Sequence, residues 1–181
     1  GLNGESGKSE NAAVRADDTI TMGLPKTGLI FGDGKKYSGR LHIAEIGFPD
    51  KLLAGGDLHL IERTDVKKLL KPRKHDAHKY DFGKVLIIAG SKGMSGAAYL
   101  TAKSALRIGA GLVKVAMPAS IIHVIENSLP EAMSAALEET EENTLSLEAK
   151  DKLGECIEWC DVLAIGPGLS QNKETMALIG K

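Results

Sequence analysis

The strongest constraint on what this chain folds into lies between Gly83 and Met117. Lys84-Val-Leu-Ile-Ile-Ala89 is a short unbroken apolar run, the pattern of a strand buried on both faces. Gly90-Ser-Lys-Gly-Met-Ser-Gly96 follows, rich in glycine. Ala97 to Ile108 reads as a helix whose inward face carries Ala97, Leu100, Ser104 and either Ala105 or Ile108. Gly109-Ala-Gly111 stops it, as glycine does at a helix C-terminus. Leu112-Val-Lys-Val-Ala-Met117 is the next strand, and Pro118 closes it. Strand, helix and strand make a βαβ unit with parallel strands and a right-handed crossover.

The alternation continues. Ala119 to Asn127 is a short helix presenting Ile121, Ile122, Val124 and Ile125. Pro130 to Leu137 fits a strand or a loop, and Glu138 to Asn143 is an acidic surface turn. Ser146 is placed to cap a helix running to about Trp159. Asp161-Val-Leu-Ala-Ile165 reads as another buried strand, broken by Gly166-Pro-Gly168, and a helix-like run precedes Gly180. The class is therefore α/β, built on a mostly parallel sheet.

Upstream, Asp18 to Gly23 and Arg40 to Ile46 read as strands on either side of a Phe31-Gly-Asp-Gly34 turn. Between the two parts, Lys67, Lys68, Lys71, Arg73, Lys74 and Lys79 cluster, with Pro72 among them, as in an inter-domain connection. An anion patch and a solvated connector both fit, and charge runs favour the second. His75-Asp-Ala-His78 has metal-like spacing, with no further ligand placed to join it.

Composition excludes several classes. The chain has 181 residues, 43% hydrophobic and 26% charged, with a net charge of -1. That is an ordinary globular balance with no basic footprint for nucleic acid. Its apolar runs fall far short of the ~20 residues of a membrane helix. Cys156 and Cys160 are too few for a disulfide framework and read as small buried residues rather than a metal or redox pair. A reducing cytoplasm suits them. The chain lacks an initiator Met and opens in turn-like sequence, so a piece of a longer polypeptide is expected.

In open parallel sheets, ligands sit beyond the carboxyl ends of the strands. Gly90 to Gly96 and Gly166 to Gly168 fall there. Glycine lets backbone approach a ligand closely, and the helix after Gly96 aims free N–H groups and a positive dipole end at the same space. Together these favour a phosphate. The loop is neither Gly-x-Gly-x-x-Gly nor a P-loop, because Ala97-Ala98 replaces Lys-Ser/Thr. On spacing alone, a nucleotide site and a plain tight turn both stand, as do phosphate-facing and solvent-facing roles for Lys92. His123, beside Ile122 and Val124, reads as a partly buried structural residue.

The stretch from Lys84 to Pro118 closely resembles the opening of the ATP- or ADP-dependent NAD(P)H-hydrate dehydratase family. His78-Lys79 resembles the dipeptide preceding that strand, and Asp161-Val-Leu-Ala-Ile-Gly-Pro-Gly-Leu169 resembles a later landmark. Gly1-Leu-Asn-Gly-Glu-Ser-Gly7, Ala16 to Lys26 and Gly39 to Pro49 resemble the end of the NAD(P)H-hydrate epimerase domain. Epimerase followed by dehydratase is the order of the bifunctional NAD(P)H-hydrate repair enzymes.

The resemblance implies the end of a Rossmann-like epimerase domain in residues 1–55 and a connector over 56–77. It implies the first part of a ribokinase-like three-layer αβα domain over 78–181. The implied chemistry is repair of hydrated NADH or NADPH, the epimerase half interconverting the R and S hydrates. The dehydratase half spends ATP or ADP, with Mg2+, to phosphorylate the ring hydroxyl of the S-epimer, which then leaves as phosphate. Ala97, Gly168 and their neighbour Gly96 match positions contacting the hydrated cofactor. The family's Gly-Thr-Gly-Asp, with its catalytic Asp, belongs after residue 181, and the Asp and K+-binding Ser of the epimerase lie before Gly1. A homo-oligomer is implied for the full-length form, with no nucleic-acid or membrane partner. A related vitamin-precursor kinase, a non-catalytic nucleotide-binding module and a purely structural or interaction protein are the alternatives.

This chain by itself is therefore expected to be inactive. Incubated with NADH hydrate and ATP or ADP, it should regenerate no NADH absorbance above the uncatalysed rate, and turnover would overturn that expectation.

Overall fold

A computed structural model of the chain describes residues 1–9, 11–54, 56–70 and 72–180. Lys71 of the cationic cluster lies outside the described residues, as do Gly55 and Lys181 at the ends of expected segments. The chain divides into two compact units, Gly1–Lys71 and Pro72–Lys181.

In the first unit, β1 (Asp18–Met22) and β2 (Arg40–Ala44) pair in parallel, Asp18 opposite Arg40. Two single-turn helices, α1 (Thr27–Ile30) and α2 (Gly34–Tyr37), lie between them in sequence. Asp18 ties the pair together, 2.7 Å from His42 Nε2 and 3.1 Å from Arg40 Nε. The bond to His42, then that to Arg40, holds the Asp18 carboxyl below the usual Asp range. Ile20 and Met22 on β1 are exposed. Beyond another single turn, α3 (Asp50–Leu53), the expected connector contains a helix, α4 (Arg63–Leu69). Glu62 and Asp65 cap it reciprocally.

In the second unit, β3 (Lys84–Ile88), β4 (Leu112–Pro118), β5 (Met133–Leu137) and β6 (Val162–Ile165) form one parallel sheet, ordered β5-β4-β3-β6. The segment that fitted strand or loop, Pro130 to Leu137, is thus strand β5 against β4. Helix α5 (Ser95–Ile108) and α6 (His123–Ser128) cover one face, and α7 (Lys150–Trp159) and α8 (Lys173–Ile179) cover the other. Alternation along β3 explains the layers. Leu86 and Ile88 pack with Leu153, Cys156 and Leu178, whereas Ile87 and Ala89 pack with Ala98, Ala102 and Ile125.

Five expectations need correction. The inward face of α5 is Ala98 and Ala102, both buried; Leu100 and Ile108 are 63% and 74% exposed. Methyl side chains let the helix sit close to the sheet, so size did not mark the buried side. The β6 strand is not buried: Val162 is 58% exposed, because β6 is the edge strand and pairs only with β3 among the described residues. The helix expected over Ala119 to Asn127 is a 3-10 turn at Ala119–Ile121 followed by α6. His123 is exposed.

Ser146 precedes a 3-10 turn, Leu147–Ala149, without capping it through its side chain. Glu174 of α8 instead accepts the Leu147 N–H at 3.1 Å, and the buried Ser146 hydroxyl has no hydrogen-bond partner among the described residues.

The ends of α5 are fixed differently. Gly109 at its C-terminus takes φ 110°, a conformation that disfavours other residues. The Arg73 guanidinium donates to the Gly109 carbonyl at 3.0 Å and lies over the Phe82 ring, 4.2 Å from its centre. A cation at the negative end of a helix is favourable. Below the amino ends of the strands, Trp159 is faced by the ammonium groups of Lys114 at 4.0 Å and Lys84 at 5.8 Å. Both cysteines are free. Cys156 is buried in the core, and the Cys160 thiol reaches the Ile157 carbonyl at 3.3 Å.

The reassigned face of α5 is testable by urea unfolding followed by circular dichroism. Ala98→Leu should overpack the sheet and cost about 1–3 kcal/mol. Leu100→Ser, on the exposed side, should change stability by less than about 0.5 kcal/mol.

Candidate functional site

Because the strands of the second unit are parallel, their carboxyl ends share one edge. The chain leaves that edge through residues 89–94 after β3, 119–120 after β4, 138–145 after β5 and 166–169 after β6. Hydrogen bonds lace three of these loops together. Gly90 N–H donates to Pro167 O at 2.9 Å, the Ser91 hydroxyl donates to Gly168 O at 2.8 Å, and Lys92 N–H donates to Asn143 O at 3.2 Å.

Gly168 lies against the first turn of α5. Its φ is 70°, and a β-carbon built there meets Met94 O at 2.7 Å and the Ala97 β-carbon at 2.9 Å. Ala97 and Gly168, far apart in sequence, are therefore immediate neighbours. Gly96 sits one residue away with open space where its β-carbon would be. Among the described residues, the N–H groups of Gly93, Ser95, Gly96 and Gly168 donate to no carbonyl. At the start of a fourteen-residue helix such groups suit an anion. The Lys92 side chain is exposed beside them.

The acidic turn after β5 contains more than a solvated face. Glu139 accepts the Ser120 N–H at 3.0 Å and the Asn143 amide at 3.2 Å, so it joins the loops after β4 and β5. Burial pushes its carboxyl up, but the bonds from Ser120 and Asn143 outweigh this and leave it below the usual Glu range. Asn143 adopts φ 56°, a left-handed conformation that Asn tolerates. Neither residue stood out in the sequence. Asn in an acidic turn was the one available signal, and the partner at Ser120 was out of local reach.

His78 does not approach a metal cluster. It caps the Lys79–Phe82 turn and lies 3.1 Å from Asp81. Among the described residues, no group of three or more His, Cys, Asp or Glu side chains is placed to hold a metal ion.

The layered fold places the second unit in a known class. A ribokinase-like superfamily protein from Enterococcus faecalis superposes with a TM-score of 0.56 at 23% identity, covering 70% of this chain and 43% of its own. A protein of Streptococcus mutans described as hypothetical also gives 0.56, at 34% identity, covering 67% of this chain and 41% of its own. Residues 85–181 match the family model described as NAD(P)H-hydrate dehydratase, and the chain belongs to that family. A Moorella thermoacetica protein named bifunctional NAD(P)H-hydrate repair enzyme Nnr is 38% identical over 181 residues. That match takes in 99% of this chain and 34% of the relative. The chain thus spans about a third of the length of the curated relatives it matches.

The Glu139 bonds predict a pH dependence. A carboxyl depressed by folding adds stability above its unfolded pKa, and that contribution fades as pH falls through the folded value. Asn143→Ala should move the Glu139 midpoint upward, read from its carboxyl 13C shift, and should shrink the acid loss of order in the loop after β5.

Proposed function

We propose that this chain serves the repair of hydrated NADH and NADPH, and that Ala97, Gly168 and Gly96 form one wall of the site for the hydrated nicotinamide nucleotide. The observation carrying this reading is the contact of Gly168 with the first turn of α5. It leaves a small-residue surface against which a flat ring can lie, beside free N–H groups suited to a pyrophosphate.

On this reading, the reaction is nucleotide-dependent dehydration of the S-epimer of NAD(P)H hydrate, coupled to epimerisation of the R and S forms. Residues 78–181 are then the first part of the dehydratase domain. Residues 1–55 are the end of the epimerase domain, and 56–77 join them. ATP or ADP is the phosphoryl donor. Mg2+ is commonly held through substrate phosphates and one or two carboxylates. Among the described residues no group of three or more His, Cys, Asp or Glu side chains is placed to hold Mg2+ or the K+ of the epimerase. The work assigned to this chain is binding and orientation. No described helix is long and apolar enough to cross a membrane. The reading adds a cytoplasmic location and a homo-oligomeric full-length form.

Titration calorimetry with the S-epimer of NADH hydrate tests the wall. Gly168→Val should weaken binding roughly ten-fold or more, about 1.4 kcal/mol, because its side chain meets Ala97 and the Met94 carbonyl. Leu100→Ala should bind as wild type. Equal affinity of the Gly168→Val chain would remove Gly168 from the site.

A further inference from the structure

We propose that Ser91 is a positioning residue, a clamp that sets the loop after β6 against the loop after β3 so that both face one ligand. This role rests on the ligand reading above. Three observations carry it.

Ser91 is only 2% exposed, yet it lies in a loop at the sheet edge. A hydroxyl taken out of water needs a partner. Its partner is the Gly168 carbonyl, at 2.8 Å, in the loop after β6, 77 residues on in the chain.

Two consecutive residues of one loop hold two consecutive carbonyls of the other. Gly90 N–H takes Pro167 O at 2.9 Å, and the Ser91 hydroxyl takes Gly168 O. The first bond fixes distance. It holds the peptide before Gly168 and the second bond holds the peptide after it, so Ser91 adds a hold from the loop after β3 on the far side of Gly168.

The orientation matters because Gly168 is already crowded, with Met94 O and Ala97 on the side where a β-carbon would project. The Gly168 N–H shares its planar peptide with Pro167 O, held by Gly90, and the Gly168 carbonyl belongs to the next peptide, held by Ser91. The two bonds together fix the peptides on both sides of Gly168, and with them the direction of its free N–H beside those of Gly93, Ser95 and Gly96. Ser91 thus acts through Gly168 and does not itself need to touch ligand.

Amide exchange and shift perturbation by NMR on the 181-residue chain separate the possibilities, with NADH as the probe because it keeps the pyrophosphate and nicotinamide. Without NADH, Ser91→Ala should speed exchange at Gly90 and Leu169 roughly five- to ten-fold, the scale of one lost hydrogen bond. Val115 and Ala116 in the sheet should keep wild-type rates, and Ser91→Thr, which retains the hydroxyl, should restore the loop. With NADH, shifts at Gly96 and Gly168 should saturate at a five- to ten-fold higher concentration in Ser91→Ala than in wild type or Ser91→Thr. Unchanged rates at Gly90 and Leu169 would overturn the clamp. So would failure of Thr to restore them, or equal acceleration at Val115 and Ala116, which would make Ser91 merely structural. If the clamp behaves as expected while NADH moves neither Gly96 nor Gly168 in wild type, the ligand reading fails and the clamp between the loops stands.

Discussion

Everything in the second unit hangs on β3. Its two faces feed both hydrophobic clusters, Leu86 and Ile88 on one side, Ile87 and the following Ala89 on the other, as those of its neighbour β4 also do. It is also paired along both edges, to β4 and to β6. A strand buried on both faces and bonded on both edges tolerates no shift in register, since a one-residue slip exchanges its faces. The loop that leaves its carboxyl end is consequently anchored at its start, and the glycine-rich segment inherits that rigidity.

That much was legible from the residues themselves. The continuous apolar run of β3, the glycines closing α5 and the proline closing β4 are local signals, and local physics interprets them. The buried side of α5 was not legible, because apolar residues occupy both sides of it. Contact with the sheet selects the alanines, which permit close approach, and leaves Leu100 and Ile108 outside. The exposure of β6 was equally hidden, because it depends on how many strands lie beyond it and not on Val162 or Leu163 themselves. In the first unit, the exposed Ile20 and Met22 show the same dependence of burial on neighbours.

The candidate site was legible in two different ways. Glycines on either side of the strand ends pointed to an edge where ligands bind, from topology alone. The pairing of Ala97 with Gly168 came instead from family resemblance, and the structure supplies its physical form: a glycine with no room for a side chain, seated on an alanine. Glu139 and Ser91 came from neither route. Each forms its key bond to a loop distant in sequence, Glu139 to Ser120 and Ser91 to Gly168. Hydrogen bonds between loops leave no periodic trace in a sequence, so such residues emerge only once the sheet has brought the loops together.

The single tryptophan gives the molecule a property unrelated to ligand. Trp159 is held under Lys114 and Lys84 near the amino ends of the strands, at the edge opposite the glycine loops. Its emission therefore reports on whether β3 and β4 are assembled, and is insulated from events at the far edge. The protein carries a built-in fluorescent gauge of sheet integrity, by which loosening of the loops can be told apart from loss of the fold.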